Sequence, residues 1–256
     1  MSDAISSDIQ DGVAILRINR PEKKNALTQA MYTALCDGID AADANPSVRA
    51  VLITATPGCF TSGNDINDFL QNPPQDENSP VLRFLHTISH SKKPLIAAVT
   101  GLAVGVGSTL LLHCELVYMA QGATLQFPFT KLGLCPEAGS SFLLTQRVGY
   151  AKASEMLLLG EPLSSTTALQ YGIANQVVAD DEVEALALAQ ARKLAALPPQ
   201  ALYTSKALMR RAHRALVEDT MRAEAEQFTH MLRGEEAMEA MMAFMQKRAP
   251  DFSRFS

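Results

Sequence analysis

Leu95-Ile96-Ala97-Ala98-Val99 is a run of five apolar residues that leads into Gly101-Leu102-Ala103-Val104-Gly105-Val106-Gly107-Ser108-Thr109. The apolar run has the length and composition of a strand buried on both faces. The glycine-rich segment opens a predicted helix from Thr109 to His113, and the next strand is predicted at Leu116-Val117-Tyr118-Met119. Strand–helix–strand order of this kind is typical of parallel construction. We therefore predict an α/β fold.

The residues before this stretch repeat the same alternation. Val13 to Ile18 is predicted to form a strand, and Thr28 has the side chain of an N-cap for a helix that runs to about Ala44. A second buried strand is predicted from Ala50 to Thr54, and a helix from Pro80 to Ser89. The proline-rich polar segment 71–80 is predicted to be a mobile surface loop.

The residues after this stretch become mainly helical. Four long amphipathic helices are predicted toward the C-terminus, and we place a boundary near residue 195, between a core of 1–195 and a helical region of 196–256. The predicted helices are 138–147, 151–159, 164–171, 180–195, 199–213, 215–232 and 234–247, with a short strand at 175–178.

Composition excludes several classes of protein. The 256 residues are 47% apolar and 19% charged, with a net charge of −5, which argues against nucleic acid as a partner. No apolar run approaches the ~20 residues of a membrane span, and the N-terminus lacks a signal pattern, so we expect a cytoplasmic protein without a membrane partner. The four cysteines lack CxxC spacing and are predicted to be reduced packing residues, and we expect no metal site.

One carboxylate stands out among the polar residues. Glu137 lies in the segment 131–141, where a turn containing glycine and proline leads into an apolar helix. A carboxylate in the first turn of a helix is stabilised by the helix dipole, which is a purely structural explanation. A general base beside a substrate carbonyl is the alternative.

Two glycine-containing turns favour the second explanation. Phe60-Thr61-Ser62-Gly63-Asn64-Asp65-Ile66 and Gly101 to Thr109 each follow a strand and precede a helix. Either turn alone is most simply a tight connection, and the second lacks the complete G-x-G-x-x-G pattern of a dinucleotide site. Together they are able to present backbone N–H groups to a developing oxyanion.

These segments together resemble the crotonase, or enoyl-CoA hydratase/isomerase, superfamily. The resemblance also rests on Asn19-Arg20-Pro21, Asn25-Ala26-Leu27 and Phe244 to Phe252, in family order over almost the whole chain. It implies a crotonase-like spiral of ββα repeats, a C-terminal helical region used in subunit packing, and a homotrimer or dimer of trimers. It also implies an acyl-CoA thioester substrate, with CoA as part of the substrate and no separate cofactor.

The resemblance also implies residue roles. The backbone N–H groups of Asn64 and Val106 are expected to bind the thioester oxygen. The remaining predicted substrate-binding residues are Lys24, Ala26, Leu27, Ser62, Gly63, Asp65, Ile66, Phe129 and Leu134.

Departures from the hydratase pattern indicate the reaction. The two positions at which hydratases of this family carry catalytic glutamates hold Thr109 and Phe129, which are not acids or bases at neutral pH. Glu137 matches the single glutamate of the peroxisomal-type Δ3,Δ2-enoyl-CoA isomerases. The resemblance therefore implies an isomerase that moves a double bond from C3 to C2.

Four alternative functions stay open. They are dienoyl-CoA isomerisation with Asp65 or Asp68 as a second acid, thioester hydrolysis, hydration, and acyl-CoA binding without catalysis.

Overall fold

The computed structural model describes residues 4–74 and 78–255 of the chain. The strands in this part are β1 (Ile5–Gln10), β2 (Val13–Ile18), β3 (Ala50–Ala55), β4 (Cys59–Thr61), β5 (Leu95–Val99), β6 (Leu102–Val104), β7 (Leu116–Ala120), β8 (Thr124–Gln126), β9 (Leu163–Ser164) and β10 (Gln176–Val178). The helices are α1 (Gln29–Ala44), α2 (Ile66–Gln71), α3 (Pro80–His90), α4 (Val106–Thr109), α5 (Ser140–Val148), α6 (Tyr150–Ser154), α7 (Ser165–Gln170), α8 (Val183–Ala195), α9 (Pro199–Arg211), α10 (Arg214–Met231) and α11 (Glu235–Met245).

The strands form two sheets, and successive repeats contribute one strand to each. The larger sheet has the order β1-β2-β3-β5-β7-β10, and the smaller one has the order β4-β6-β8-β9. Only β1 and β9 run antiparallel to their neighbours among these strands. The pairs β3–β4, β5–β6 and β7–β8 thus each place their first strand in the large sheet and their second in the small one. This spiral confirms the predicted α/β fold of ββα repeats.

The large sheet forms the centre of the core. Every residue of β3 and of β5 is buried, as the nearly continuous apolar runs predict. Helix α1 begins where expected, because the Thr28 hydroxyl accepts a hydrogen bond from the Met31 N–H. Helix α8 covers the sheet by packing against β3, β5 and β7.

Sequence patterns missed the shortest and most polar elements. Strand β1 has one buried residue, Ile5, and the strands of the small sheet have three residues or fewer, too short for a period of two to be visible. The helix predicted from Thr109 begins earlier, at Val106, and continues as a 3-10 turn over Leu110–His113. Of the predicted mobile loop 71–80, residues 75–77 lie outside the described residues.

The C-terminal helices pack onto the core. Helix α10 contacts α5, and α11 contacts a 3-10 turn at Thr130–Leu132. The division at residue 195 falls between α8 and α9 and stays a prediction. Across residues 4–74 and 78–255, no helix combines the length and hydropathy that a bilayer crossing requires.

Candidate active site

The two glycine-containing turns lie against each other at the edge of the small sheet. Both segments contain residues of a short strand, β4 in the first and β6 in the second, and these strands pair in parallel. A Cβ atom on Gly63 would lie 3.0 Å from the Val104 carbonyl oxygen, and one on Gly107 would lie 2.5 Å from Cγ2 of Thr61. Glycine at both positions therefore lets the turns approach backbone to backbone, and Gly63 also has a φ of +91°.

The Asn64 N–H is left free by the way its neighbours pair. The Leu27 N–H donates to the Gly63 carbonyl at 2.8 Å, and the Asp65 N–H donates to the Leu27 carbonyl at 2.9 Å. Successive residues of an extended segment direct their N–H groups to opposite sides, so the Asn64 N–H points away from Leu27. No described group accepts a backbone hydrogen bond from it.

The Val106 N–H is free for a different reason. Val106 is the first residue of α4, and the first N–H groups of a helix have no acceptor within it. The Gly105 carbonyl already accepts from the Ser108 and Thr109 N–H groups, both at 2.9 Å. Within the described residues, the Val106 N–H has no backbone acceptor either. The turns thus supply two buried or half-buried donors, as an oxyanion hole requires.

The predicted CoA segment lies beside the first turn. The Ser62 N–H donates to the Lys24 carbonyl at 3.0 Å, and Lys24 itself is exposed. Arg20 ties the two segments together, because its Nη1 donates to the Ala26 carbonyl at 3.0 Å and to Asp65 Oδ2 at 2.7 Å. The structure therefore brings together the predicted residues Lys24, Ala26, Leu27, Ser62, Gly63, Asn64, Asp65 and Ile66.

Both oxygens of the Asp65 carboxylate accept hydrogen bonds from other residues of the protein. Besides binding Arg20, its Oδ1 caps α2 by accepting from the Asn67 and Asp68 N–H groups, both at 3.1 Å. Burial opposes ionisation, but Arg20 and the two N–H groups together lower the pKa of Asp65. The side chain thus holds the turn in place and stays ionised.

Glu137 lies before a helix and not in its first turn, which corrects the sequence-based expectation. Helix α5 begins at Ser140, whose N–H donates to the Glu137 carbonyl at 3.0 Å. Ala138 and Gly139 have φ values of +60° and +70°, and the left-handed region is costly for alanine. The dipole of α5 therefore does not explain the carboxylate.

A buried histidine fixes the strained residue. Nε2 of His113 lies 2.7 Å from the Ala138 carbonyl, and because a carbonyl only accepts, Nε2 carries the proton. Burial lowers the pKa of His113 to about 3, so the ring is neutral. The contact fixes the peptide directly after Glu137 without adding charge.

The Glu137 side chain is 5% exposed, and its Oε1 is buried without a hydrogen-bond partner among the described residues. Burial, reinforced by the charge of Glu224, raises the pKa of Glu137 to about 8, against a small opposing effect of the Thr109 hydroxyl. An unpartnered buried carboxyl group is costly, and such groups concentrate at functional sites.

Two side chains connect Glu137 to the oxyanion donors. Thr109 belongs to α4, the helix that begins at Val106, and its hydroxyl lowers the pKa of Glu137, in opposition to burial. The Tyr32 hydroxyl donates to Oδ1 of Asn64, and its pKa is raised by burial and by the charge of Glu137. Glu137 therefore lies near Thr109 of the second turn and near the tyrosine that binds Asn64 of the first.

An apolar cavity opens over Glu137. Its other walls come from α2, α3 and α10, and they are mainly apolar. The cavity volume of about 20 Å³ holds about one water molecule, so an acyl chain enters only if these walls separate. Phe129 and Leu134, two of the predicted substrate-binding residues, are both buried but do not line this cavity. They are joined by the Leu134 N–H, which donates to the Phe129 carbonyl at 2.9 Å. The lining residues are Phe69, Pro74, Val81, Leu82, Leu85, Ala138, Met221, Ala225, Phe228 and Thr229.

Sequence analysis missed these lining residues, although their spacing carried a signal. Val81 and Leu85 are four residues apart on α3, and Met221 and Phe228 are seven apart on α10, so each pair shares a helix face. Periodicity predicts a buried face and does not reveal that the face borders a cavity.

The cysteines and potential metal ligands add no second centre. All four cysteines are free. In the described part of the chain, no three histidine, cysteine, aspartate or glutamate side chains cluster as metal ligands would.

Two backbone N–H groups without backbone acceptors among the described residues and a buried glutamate thus lie on a spiral of ββα repeats. Residues 8–254 match the model of the family described as enoyl-CoA hydratase/isomerase, and the chain belongs to this family. An enoyl-CoA hydratase/isomerase from Pseudoalteromonas atlantica T6c is similar in structure, with a TM-score of 0.93 and 40% identity over 98% of this chain and all of that one.

The named relatives include hydratases and isomerases. The 2,3-dehydroadipyl-CoA hydratase of Escherichia coli K12 is 33% identical over 98% of this chain and 99% of its own. The human enoyl-CoA delta isomerase 2 is 32% identical over 94% of this chain and 62% of its own. Identities of 32% and 33% show the family and do not decide which reaction this chain catalyses.

Proposed function

We propose that this protein is a Δ3,Δ2-enoyl-CoA isomerase that uses Glu137 as its only acid and base. The observation that carries the proposal is the isolation of this carboxyl group. It is the only titratable side chain among the described residues that line the apolar cavity. Thr109 and Phe129 occupy the positions where hydration would need carboxylates.

The reaction is a 1,3-proton shift. Ionised Glu137 takes a proton from C2 of a 3-enoyl thioester, and the electron pair moves onto the thioester oxygen. The Asn64 and Val106 N–H groups stabilise this dienolate, and each such donor contributes about 3 kcal/mol. Protonated Glu137 then delivers its proton to C4, which leaves the double bond between C2 and C3. The proton removed equals the proton returned, so no other acid is consumed.

The environment of Glu137 suits both halves of this cycle. A pKa of about 8 makes the carboxylate a stronger base than an exposed glutamate and its conjugate acid stable at neutral pH. The apolar cavity walls keep bulk water away from the conjugated product, which disfavours hydration. The human isomerase relative also supports this reaction.

The dienoyl-CoA isomerase alternative needs a second acid. Asp65 is bound to Arg20 and caps α2, and Asp68 Oδ2 accepts from the Gln29 N–H at 2.7 Å. Neither carboxylate is free to move a proton along the acyl chain, which favours the single-glutamate mechanism. If the protein only bound acyl-CoA, no catalytic role would explain the free-energy cost of burying Oε1 of Glu137 without a hydrogen bond from the described residues.

The test is a direct assay of 3-hexenoyl-CoA conversion to 2-hexenoyl-CoA, with hydration of 2-hexenoyl-CoA measured on the same preparation. Isomerisation without hydration is the expected result. Hydration at a comparable rate would refute the lone-glutamate mechanism and favour the hydratase alternative suggested by the Escherichia coli relative.

We also propose a homotrimer or dimer of trimers. Exposed apolar side chains on α9 and α11 support subunit packing through the C-terminal helices. They are Leu208, Met209, Met238, Phe244 and Met245. Light scattering coupled to size-exclusion chromatography is expected to give three or six times the 27.6 kDa chain mass.

A further inference from the structure

A second buried glutamate lies directly behind the active-site turn. Glu224 of α10 is 7% exposed, and it reaches the turn from a region more than 80 residues later in the chain. Its Oε2 accepts from the Gly139 N–H at 2.6 Å. Its Oε1 accepts from the Ser141 N–H at 2.9 Å and from the Ser141 hydroxyl at 2.5 Å. The two oxygens thus hold both sides of Ser140.

The two glutamates have opposite surroundings. Burial raises the pKa of Glu224, and its three hydrogen bonds oppose this rise because they favour the ionised form. Oε1 of Glu137 has no such donor among the described residues. When the surroundings of two neighbouring carboxyl groups give them different pKa values, one group can act as the acid while the other stabilises the site. Glu224 is thus the member whose negative charge is stabilised by donors, and the pKa of about 8 favours the protonated form of Glu137 at neutral pH.

We infer that Glu224 is a positioning residue for Glu137, because it clamps the turn 137–141 from α10 and places a fixed negative charge behind the catalytic carboxyl group. The clamp sets where the Glu137 side chain points. The charge makes Glu137 the stronger base. The rate effects described below rest on the proposed function, but the titration does not.

Among the described residues, the other titratable groups that face Glu137 do not supply a like charge. Tyr32 on α1 faces it, as does Cys135 in its own turn, and burial raises the pKa of Tyr32 well above its usual value and that of Cys135 to about 11. Both are therefore neutral near pH 7. The neighbouring Thr109 and His113 side chains are also uncharged. Glu224 is left as the source of the negative charge.

The decisive experiment titrates Glu137 itself in the full-length protein. The carboxyl carbons of glutamate are labelled with 13C and followed by NMR from pH 5 to 10, and the Glu137→Gln variant assigns the signal. We expect the midpoint of Glu137 to fall by about one pH unit in Glu224→Gln, because the like charge is removed. Glu226→Gln is the matched control, since Glu226 is exposed on the same helix.

An unchanged Glu137 midpoint in folded Glu224→Gln would overturn the inference, whatever reaction the protein catalyses. Glu224→Asp serves if the glutamine variant does not fold. It keeps the charge but withdraws it by one methylene, so the midpoint should fall by a smaller amount, and no change would again be contradictory.

Kinetics separate positioning from simple structural support. In Glu224→Gln, we expect kcat for 3-hexenoyl-CoA to fall about tenfold with little change in KM, and the pH limb of kcat/KM to move down with the NMR midpoint. Glu224→Asp should recover part of kcat. An equal loss of kcat across the whole pH range, without movement of the limb, would contradict the role of the charge.

Discussion

Glu137 and Glu239 are both nearly inaccessible glutamates, yet their surroundings are opposite. Glu239 of α11 is 3% exposed and binds Arg248 at 2.5 and 3.0 Å, Arg254 at 3.0 Å and the Asp251 N–H at 2.9 Å. Hydrogen bonds from Arg248 and Asp251 lower the pKa of Glu239 to about 2. Glu137 has an orphaned oxygen and a pKa of about 8.

The difference shows that the hydrogen-bond partners of a buried carboxylate distinguish a structural role from a catalytic one. Glu239 is covered by the arginines of the C-terminal segment, so its charge fastens that segment to α11. Glu137 is covered by apolar groups, so its ionisation costs free energy, which is recovered when it takes a proton from the substrate. Burial is shared by both residues, and hydrogen-bond satisfaction is the feature that distinguishes them.

The largest expected effect is on turnover. Glu137→Gln should lower isomerase kcat by about 10²–10⁴-fold, because the group that carries the proton is lost. Acyl-CoA binding, measured by calorimetry, should stay within a few fold. Glu239→Gln should retain near-normal kcat at a temperature where it is folded. Full turnover by the Glu137 variant would refute its catalytic role.

A pH profile tests the same contrast in the unmodified enzyme. Since the carboxylate form of Glu137 starts the reaction, kcat/KM should rise about tenfold per pH unit below a midpoint near 8 and then level off. Steady-state rates of 3-hexenoyl-CoA isomerisation from pH 5.5 to 9.5 measure this limb. A flat profile down to pH 5.5 would mean that Glu137 ionises like an exposed glutamate.

Stability should respond with opposite signs to the two glutamine substitutions. The folded protein holds the Glu137 proton more tightly than the unfolded chain between about pH 4.5 and 8, so stability falls as pH rises through that window. Glu137→Gln removes this loss and should raise the free energy of unfolding at pH 9 by up to a few kcal/mol, with no such gain at pH 4.

The Glu239 change should do the reverse. Its pKa is lowered in the folded state, so its contribution is present above about pH 4.5 and is lost as pH falls toward 2. Glu239→Gln should lower the thermal midpoint by a few degrees at pH 7 and converge with the wild type in acid. Equal thermal midpoints at pH 7 would show that the arginine contacts contribute nothing measurable.

The smallest expected effect concerns the oxyanion side of the site. Tyr32→Phe removes the hydroxyl that holds the Asn64 side chain, so kcat should fall a few fold while KM is nearly unchanged. Tyr150→Phe is the control, because Tyr150 is 81% exposed. An effect of equal size in both variants would exclude a specific role for the Tyr32 hydroxyl.

Sequence patterns predicted five of the six strands of the large sheet and most helices, because apolar periodicity reports burial directly. They missed β1, which is polar at most positions, and the three-residue strands β4, β6 and β8, which are too short for a pattern. The pairing of β4 with β6 is nonetheless what brings the Asn64 and Val106 turns together.

The sequence by itself determined the chemistry that is available: one glutamate after a glycine-containing turn, two turns with suitable backbones, and no carboxylate at Thr109 or Phe129. These are properties of residue type and order. Only the tertiary structure decided that Oε1 of Glu137 has no hydrogen-bond partner among the described residues, that α10 forms a wall of the cavity, and that Glu224 clamps the turn. The burial of Glu137, the charge near it and the hydrogen bonds of its turn depend on α10, which is more than 80 residues away in the sequence. A local sequence pattern does not encode contacts over that distance.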